Sequence, residues 1–285
     1  MYNQSSKAGK LMNDRRVLAG GVALITGGGG EIGGAIARRF AREGAAVAVA
    51  DLRPEKAEVV ALAIENAGGK AVPIACDVAS ESDAARAVRE TVDRFGKLTS
   101  LVNVAAAVTP DGTVETLTLQ DWNEALAINL SGSFLMCKYA VPHIRKAGGG
   151  TIINIASQLG QIGVPGRSPY SSSKAALIQF TKCLAVDHAE DRIRVNSLSP
   201  GSIDTERTLR RFAGDRAAAN RARGPNHLLG RTGRPDEIAA AALFLASEES
   251  SFMTGADLLI DGGYLAFKGS LSPKPGMARA EKGGR

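Results

Sequence analysis

The chain is predicted to fold as a single α/β domain, a doubly wound parallel sheet, on three observations. Short, uninterrupted apolar runs alternate with longer amphipathic stretches from residue 17 to residue 267. A glycine-rich turn, Thr26-Gly27-Gly28-Gly29-Gly30-Glu31-Ile32-Gly33, separates the first run from the first amphipathic stretch. No linker or compositional break interrupts the alternation. Apolar runs without polar alternation are strands buried on both faces, the condition of a parallel sheet sandwiched between crossover helices.

In chain order, Val22-Ala23-Leu24-Ile25 reads as a short buried strand. The helix after the glycine turn carries Ile32, Ile36, Ala37 and Phe40 on one face and stops near Gly44. A second strand over 45–50 closes at Asp51, and a helix over 54–66 opens on Pro54. A strand over 71–76, closed by Asp77, precedes a helix over 80–95 and a short strand over 101–103. A long helical stretch then runs to Lys146. Strand 151–155, helix 170–188, strand 194–198, helix 236–246 and strand 258–260 complete the rhythm. Right-handed crossovers put ligands at the carboxyl ends of such strands.

Composition narrows the function. Of the net charge of +6, residues 1–16 carry +3 and residues 268–285 carry +4, leaving −1 on the body. The basicity therefore belongs to two flexible tails and is no nucleic-acid footprint. No apolar run approaches the roughly 18 residues that span a bilayer. The first sixteen residues lack a secretory pattern. Cys76, Cys137 and Cys183 lie far apart in apolar or helical contexts and read as buried free thiols of a cytoplasmic protein. His143, His188 and His227 show no ligand spacing, so no metal site is expected.

The glycine turn is where a dinucleotide pyrophosphate would sit, because glycines admit close backbone approach and the helix N-terminus offers N–H groups. A G-x-G-x-x-G match falls on Gly28, Gly30 and Gly33, although a run of four glycines makes one match almost automatic. Asp51, 18 residues past Gly33, stands where a carboxylate would accept the adenosine ribose hydroxyls and repel a 2′-phosphate. Its plainer reading is a cap for the helix entered through Pro54. NAD is the expected cofactor; Arg53, two residues on, leaves NADP open.

Tyr170-Ser171-Ser172-Ser173-Lys174 puts a phenol and an ammonium one helical turn apart on one face. A neighbouring cation favours phenolate and suits a tyrosine to general acid/base work. A tyrosine four residues before a lysine is also common on solvated helix faces.

With these pieces placed, the chain from Val17 to Leu265 resembles the short-chain dehydrogenase/reductase family, whose fold is Rossmann-type. The turn motif T-G-x-x-x-G-x-G corresponds to Thr26 through Gly33, D-V to Asp77-Val78, and N-N-A-G to Asn103-Val104-Ala105-Ala106. P-G-x-x-x-T corresponds to Pro200-Gly201 through Thr205, and Gly230 to Pro235 with Asp261-Gly262-Gly263 also matches. The resemblance implies a catalytic set of Asn129, Ser157, Tyr170 and Lys174. Tyr170 would exchange the substrate proton, Lys174 would assist it and hold the nicotinamide ribose, Ser157 would bond the reacting oxygen, and Asn129 would hold a relay water. It implies a cofactor set of Thr26, Gly27, Gly30, Ile32, Gly33, Asp51, Leu52, Asp77, Val78, Asn103, Ala105, Pro200, Gly201, Ile203 and Thr205, joined by Tyr170 and Lys174. Homodimers or homotetramers paired through 122–146 and 170–188 are implied as well. Two departures stand out. Glu31 occupies the middle glycine of the turn and is expected to point away from the phosphates. Val104-Ala105-Ala106 replaces N-A-G, which loosens a structural hydrogen bond without removing chemistry.

For the substrate the residues say less. The pocket is expected from Gln158, Leu159, Ile162 and Val164, from Ala107 and Val108, and from a lid over about 205–230. The lid holds Arg207, Arg210, Arg211, Arg216, Arg221 and Arg223 against Glu206 and Asp215 between residues 206 and 224. Val108, Gln158, Arg207 and Arg211 are the substrate candidates. The arginines read either as receptors for an anion or as a solvated helix face. The expected reaction is hydride transfer between NAD and a secondary alcohol or ketone: a sugar, a cyclic alcohol or an anionic hydroxy compound. The alternatives are an NADPH-dependent reductase of 3-oxoacyl thioesters and a non-enzymatic dinucleotide-sensing regulator.

Overall fold

Seven parallel strands line up in the order β3-β2-β1-β4-β5-β6-β7 in the computed structural model. It describes residues 16–107 and 109–267 of the 285. The expected tails fall outside these residues, apart from Arg16, and so does Val108. The strands are β1 (Val22–Thr26), β2 (Ala46–Asp51), β3 (Lys70–Ala75), β4 (Ser100–Asn103), β5 (Gly150–Ile155), β6 (Ile193–Pro200) and β7 (Asp257–Ile260). The order reverses between β1 and β4, which opens a crevice at their carboxyl ends.

Successive residues of one strand feed opposite layers. Val47 and Val49 of β2 belong to the core layer that holds Phe40 and Ile36 of α1 (Glu31–Arg42) and Ile238 of α9 (Pro235–Ala246). Ala48 and Ala50 face the other layer, with Val88 of α3 (Glu81–Phe95) and Met136 and Ile144 of α5 (Gly132–Lys146). Burial on both faces is why these strands read as unbroken apolar runs. Pro73 sits in β3, an edge strand, where its missing N–H costs no second ladder. Helix α2 (Pro54–Asn66) links β2 to β3.

The long helical stretch before Lys146 is not one regular helix. Helix α4 (Leu119–Leu126), started by a reciprocal Thr118–Asp121 capping box, passes into a π-helical turn at Ala127–Ser131 before α5 begins. A widened turn of this kind shifts side-chain register by one residue, and hydrophobic periodicity does not reveal it. Helix α6 (Ser168–Asp187) starts two residues earlier than expected, with Pro169 in its first turn, where a missing N–H is harmless. The lid is two short helices, α7 (Glu206–Leu209) and α8 (Arg216–Arg223).

Cys76 and Cys137 are buried, and burial pushes both thiols up to about 12, so neither is a nucleophile at neutral pH. Cys183 corrects the expectation: it lies on the outer face of α6 and is exposed. Among the described residues, no helix is long and apolar enough to cross a membrane, and no cluster of His, Cys, Asp and Glu has the makings of a metal site.

Candidate active site

The glycine turn is fixed by contacts that exclude side chains. Gly27 adopts φ 59°, and a Cβ there would lie 2.9 Å from the Ala105 backbone. A Cβ on Gly33 would come within 2.2 Å of the Gly27 carbonyl oxygen, so only glycine lets α1 pack this closely. Gly30 differs: an added Cβ would meet only the Gly27 oxygen, at 3.3 Å. Gly30 is the N-cap of α1, whose first N–H groups have no intrahelical partner. The Gly28, Gly29 and Gly30 N–H groups are bonded inside the turn, so the donors offered at the switch point are those of the first turn of α1, an arrangement that fits a dinucleotide pyrophosphate.

Thr26, at the end of β1, accepts from the Val104 and Ala105 N–H groups at 3.1 and 3.3 Å through its hydroxyl. The apolar Val104-Ala105-Ala106 segment is thus fastened by backbone. Asn103 donates to Asn154 at 2.9 Å, and Asn154 donates to Thr181 at 2.9 Å, joining β4, β5 and α6. Asp51 is buried and accepts from Gly29 N–H and Arg53 N–H, both at 3.0 Å. It therefore ties the glycine turn to the end of β2 and is not the side-chain cap of α2, which has none. Leu52 beside it is exposed. Asp77 accepts from Ala79 N–H at 2.9 Å, and Val78 is buried.

Glu31 points away from the turn, as expected, but to a specific place. Its carboxylate accepts the Glu206 N–H at the start of α7, at 2.8 and 2.9 Å to its two oxygens.

The four expected catalytic residues gather at the carboxyl edge. Lys174 is 2% exposed and donates to the Ile155 carbonyl at 2.7 Å. Burial first, and the neighbouring Arg207 second, lower its pKa to about 7. Its Nζ lies 5.9 Å from the Tyr170 ring centre. Ser157 accepts from Leu159 N–H at 3.1 Å, which leaves its own proton to be donated. Asn129, in the π-turn and fully buried, accepts from Ala107 N–H at 2.8 Å and donates to Ser173 at 2.9 Å. Ser173 in turn donates to the Tyr170 carbonyl at 2.8 Å, so Asn129 braces the first turn of α6.

Ser157, Tyr170 and Lys174 line one cavity of about 420 Å³ with Ile32, Pro200, Gly201, Ile203 and Thr205. The expected pocket residues Gln158, Leu159, Val164 and Arg207 line it too. Ile162 and Ala107 are both absent from the lining; the Ala107 main chain instead donates to Asn129 and accepts from Arg207. Arg211 lies in the turn Arg210–Phe212, its side chain outside what the structure describes. A larger hollow of about 710 Å³ lies at the opposite, amino-terminal edge of the sheet, out of reach of these four residues.

Sequence reasoning missed Arg167 and Thr109. Arg167 pairs with Asp111 at 2.6 Å, and its guanidinium carbon sits 5.2 Å from the Tyr170 ring centre. Thr109 lines the cavity, its buried hydroxyl without a hydrogen-bond partner among the described residues. Only the three-residue spacing from Arg167 to Tyr170 was there to suggest the first.

A family model described as enoyl-(acyl carrier protein) reductase matches residues 29–265. An uncharacterised oxidoreductase of Thermotoga maritima is 43% identical over 256 residues, covering 87% of this chain and 98% of that protein. The D-threitol dehydrogenase of Mycolicibacterium smegmatis is 41% identical over 247 residues, covering 87% and 94%. Among solved structures, a short-chain type dehydrogenase/reductase from Mycobacterium marinum superposes with a TM-score of 0.82 at 39% identity, covering 88% of this chain and 98% of that one.

Proposed function

We propose that this chain, which belongs to the short-chain dehydrogenase/reductase family, is an NAD-dependent dehydrogenase that oxidises a secondary alcohol to a ketone. The observation that carries the reading is the shared cavity of Ser157, Tyr170 and Lys174, walled on one side by the segment from Pro200 to Thr205. Bound NAD supplies the hydride acceptor. The D-threitol dehydrogenase among the relatives supports a polyol as the kind of substrate, and a 2,5-dichloro-2,5-cyclohexadiene-1,4-diol dehydrogenase of Sphingobium indicum, 40% identical, supports a cyclic alcohol.

Tyr170 takes the proton of the substrate hydroxyl as the carbon beneath it gives up hydride. Ser157, its oxygen already accepting from Leu159, donates to the same substrate oxygen and orients it. Lys174, anchored on the Ile155 carbonyl, would hold the ribose of the nicotinamide half and offset the charge passing over Tyr170. The Asn129 side chain is committed at both ends, so a relay water would rest on its main-chain carbonyl.

Asp51 favours NAD over NADP, since a buried carboxylate at the end of β2 repels a 2′-phosphate. The same residue weighs against an NADPH-dependent reductase of 3-oxoacyl thioesters. The complete Tyr170, Lys174 and Ser157 set weighs against a regulator without chemistry. Homo-oligomerisation through α4, α5 and α6 belongs to this reading, with Trp122 and Phe134 on those helices open to solvent.

The test is Tyr170→Phe in an assay of NADH formation over a panel of alcohols. Turnover should vanish while NADH binding, followed by fluorescence, persists. Near-normal turnover in the variant would remove Tyr170 from its role.

A further inference from the structure

The lid arginines do not behave as one group. Arg210, Arg216 and Arg221 face solvent, Arg216 held by Asp204 and Arg221 near Asp215. Arg207 and Arg223 turn inward and line the cavity that contains Tyr170. Arg207 donates to the Ala107 carbonyl, which holds its guanidinium carbon 5.5 Å from the Tyr170 ring centre. Arg223, at the far end of α8, lies over the Phe212 ring at 5.4 Å.

The charge of the lining is one-sided. Arg167, Lys174, Arg207 and Arg223 all line the cavity, and among the described residues no aspartate or glutamate does. Asp111 answers Arg167 from outside the lining. An oxidised nicotinamide would add one more positive charge. A cavity lined by cations raises the local concentration of anions and favours an anionic group on the molecule that enters it. Lys174 registers this positive lining, since Arg207 contributes to the lowering of its pKa. Two buried polar atoms of lining residues, Gln158 Oε1 and Thr109 Oγ1, have no hydrogen-bond partner among the described residues. Such atoms mark a wall built to bond something that enters.

We propose that the alcohol oxidised at Tyr170 is a hydroxy acid, its carboxylate held by Arg207 and Arg223 and a further polar group met by Gln158 and Thr109. This deepens the dehydrogenase reading and rests on it. A planar guanidinium is the side chain that grips a carboxylate with paired N–H groups, and two of them, one from each lid helix, let the substrate draw the lid down.

The holoenzyme is assayed with 3-hydroxycyclohexanecarboxylate and its neutral amide, 3-hydroxycyclohexanecarboxamide, each with NAD. Binding of cyclohexanecarboxylate and cyclohexanecarboxamide to the NADH complex is measured in parallel by calorimetry. The acid should exceed the amide by about 10- to 100-fold in kcat/KM and in affinity, the span a charge-assisted pair provides. Arg207→Gln and Arg223→Gln should each lower that ratio about tenfold while leaving NADH affinity unchanged. Equal handling of acid and amide overturns the proposal. So does a loss of NADH affinity in either variant with the ratio kept, which would assign these arginines to the cofactor. Tight binding of the carboxylate without NADH formation from any alcohol would uphold the anion site and overturn the dehydrogenase reading, so the two fail separately.

Discussion

Lys174→Met separates what this lysine does for catalysis from what it costs the fold. The ammonium is buried, its pKa lowered from 10.5 to about 7. Below pH 7 both folded and unfolded chains carry the proton, and the full cost of burying the charge falls on the folded state. That cost is roughly 5 kcal/mol at about 1.4 kcal/mol per pK unit. Between pH 7 and 10.5 the unfolded chain keeps the proton and the folded chain does not, so stability rises with pH across that window. Methionine fills nearly the same volume without a charge but orphans the Ile155 carbonyl, a loss of about 1–3 kcal/mol. The variant should therefore be more stable than wild type by roughly 2 kcal/mol at pH 6. The advantage should shrink by about 3 kcal/mol by pH 9 and vanish or reverse. For a domain of this size that change is a relative shift of about 6–12 °C in Tm. Melting both apoproteins at the two pH values and taking the difference of differences cancels every group the two share. A difference that stays constant from pH 6 to pH 9 refutes the reasoning, since the ammonium would then not be desolvated. Activity should be lost at both.

Other substitutions probe the remaining parts. Gly33→Ala forces a Cβ to within 2.2 Å of backbone, so it should cost about 2–3 kcal/mol or more in denaturant melts and abolish NADH binding. Gly30→Ala, with only a 3.3 Å neighbour, should melt as wild type yet bind NADH more weakly, because the proposed pyrophosphate site lies against it; unchanged binding would overturn that placement. Asp51→Ser should lower stability by about 1–2 kcal/mol and narrow the proposed preference for NADH over NADPH in a fluorescence titration. A preserved preference would clear Asp51 of the selection.

Much of this was written in local sequence. β2 and β5 read as strands because both their faces are buried, and the Tyr170–Lys174 spacing is helical geometry alone. Lost from view were features set by chain segments far apart. Helix α8 carries Arg221 outward and Arg223 inward, and nothing within its eight residues says which arginine meets the cavity. The π-turn that seats Asn129 leaves the composition of a helix unchanged while shifting its register. Arg167 and Thr109 reach the site from loops, where no periodicity applies.

Glu31 belongs to the glycine turn by sequence and to the lid by contact, across 175 positions. Glu31→Gln should weaken that contact by about 1 kcal/mol, raising KM for substrate with little change in NADH affinity. The consequence reaches engineering. A lid transplanted from a relative that keeps glycine here would meet a carboxylate its first N–H was never placed to receive. The reverse graft, this lid on a turn with glycine, would leave the Glu206 N–H without the carboxylate that receives it. Position 31 and the start of α7 are one exchangeable unit, and a chimera that splits them should bind the dinucleotide less tightly than either parent.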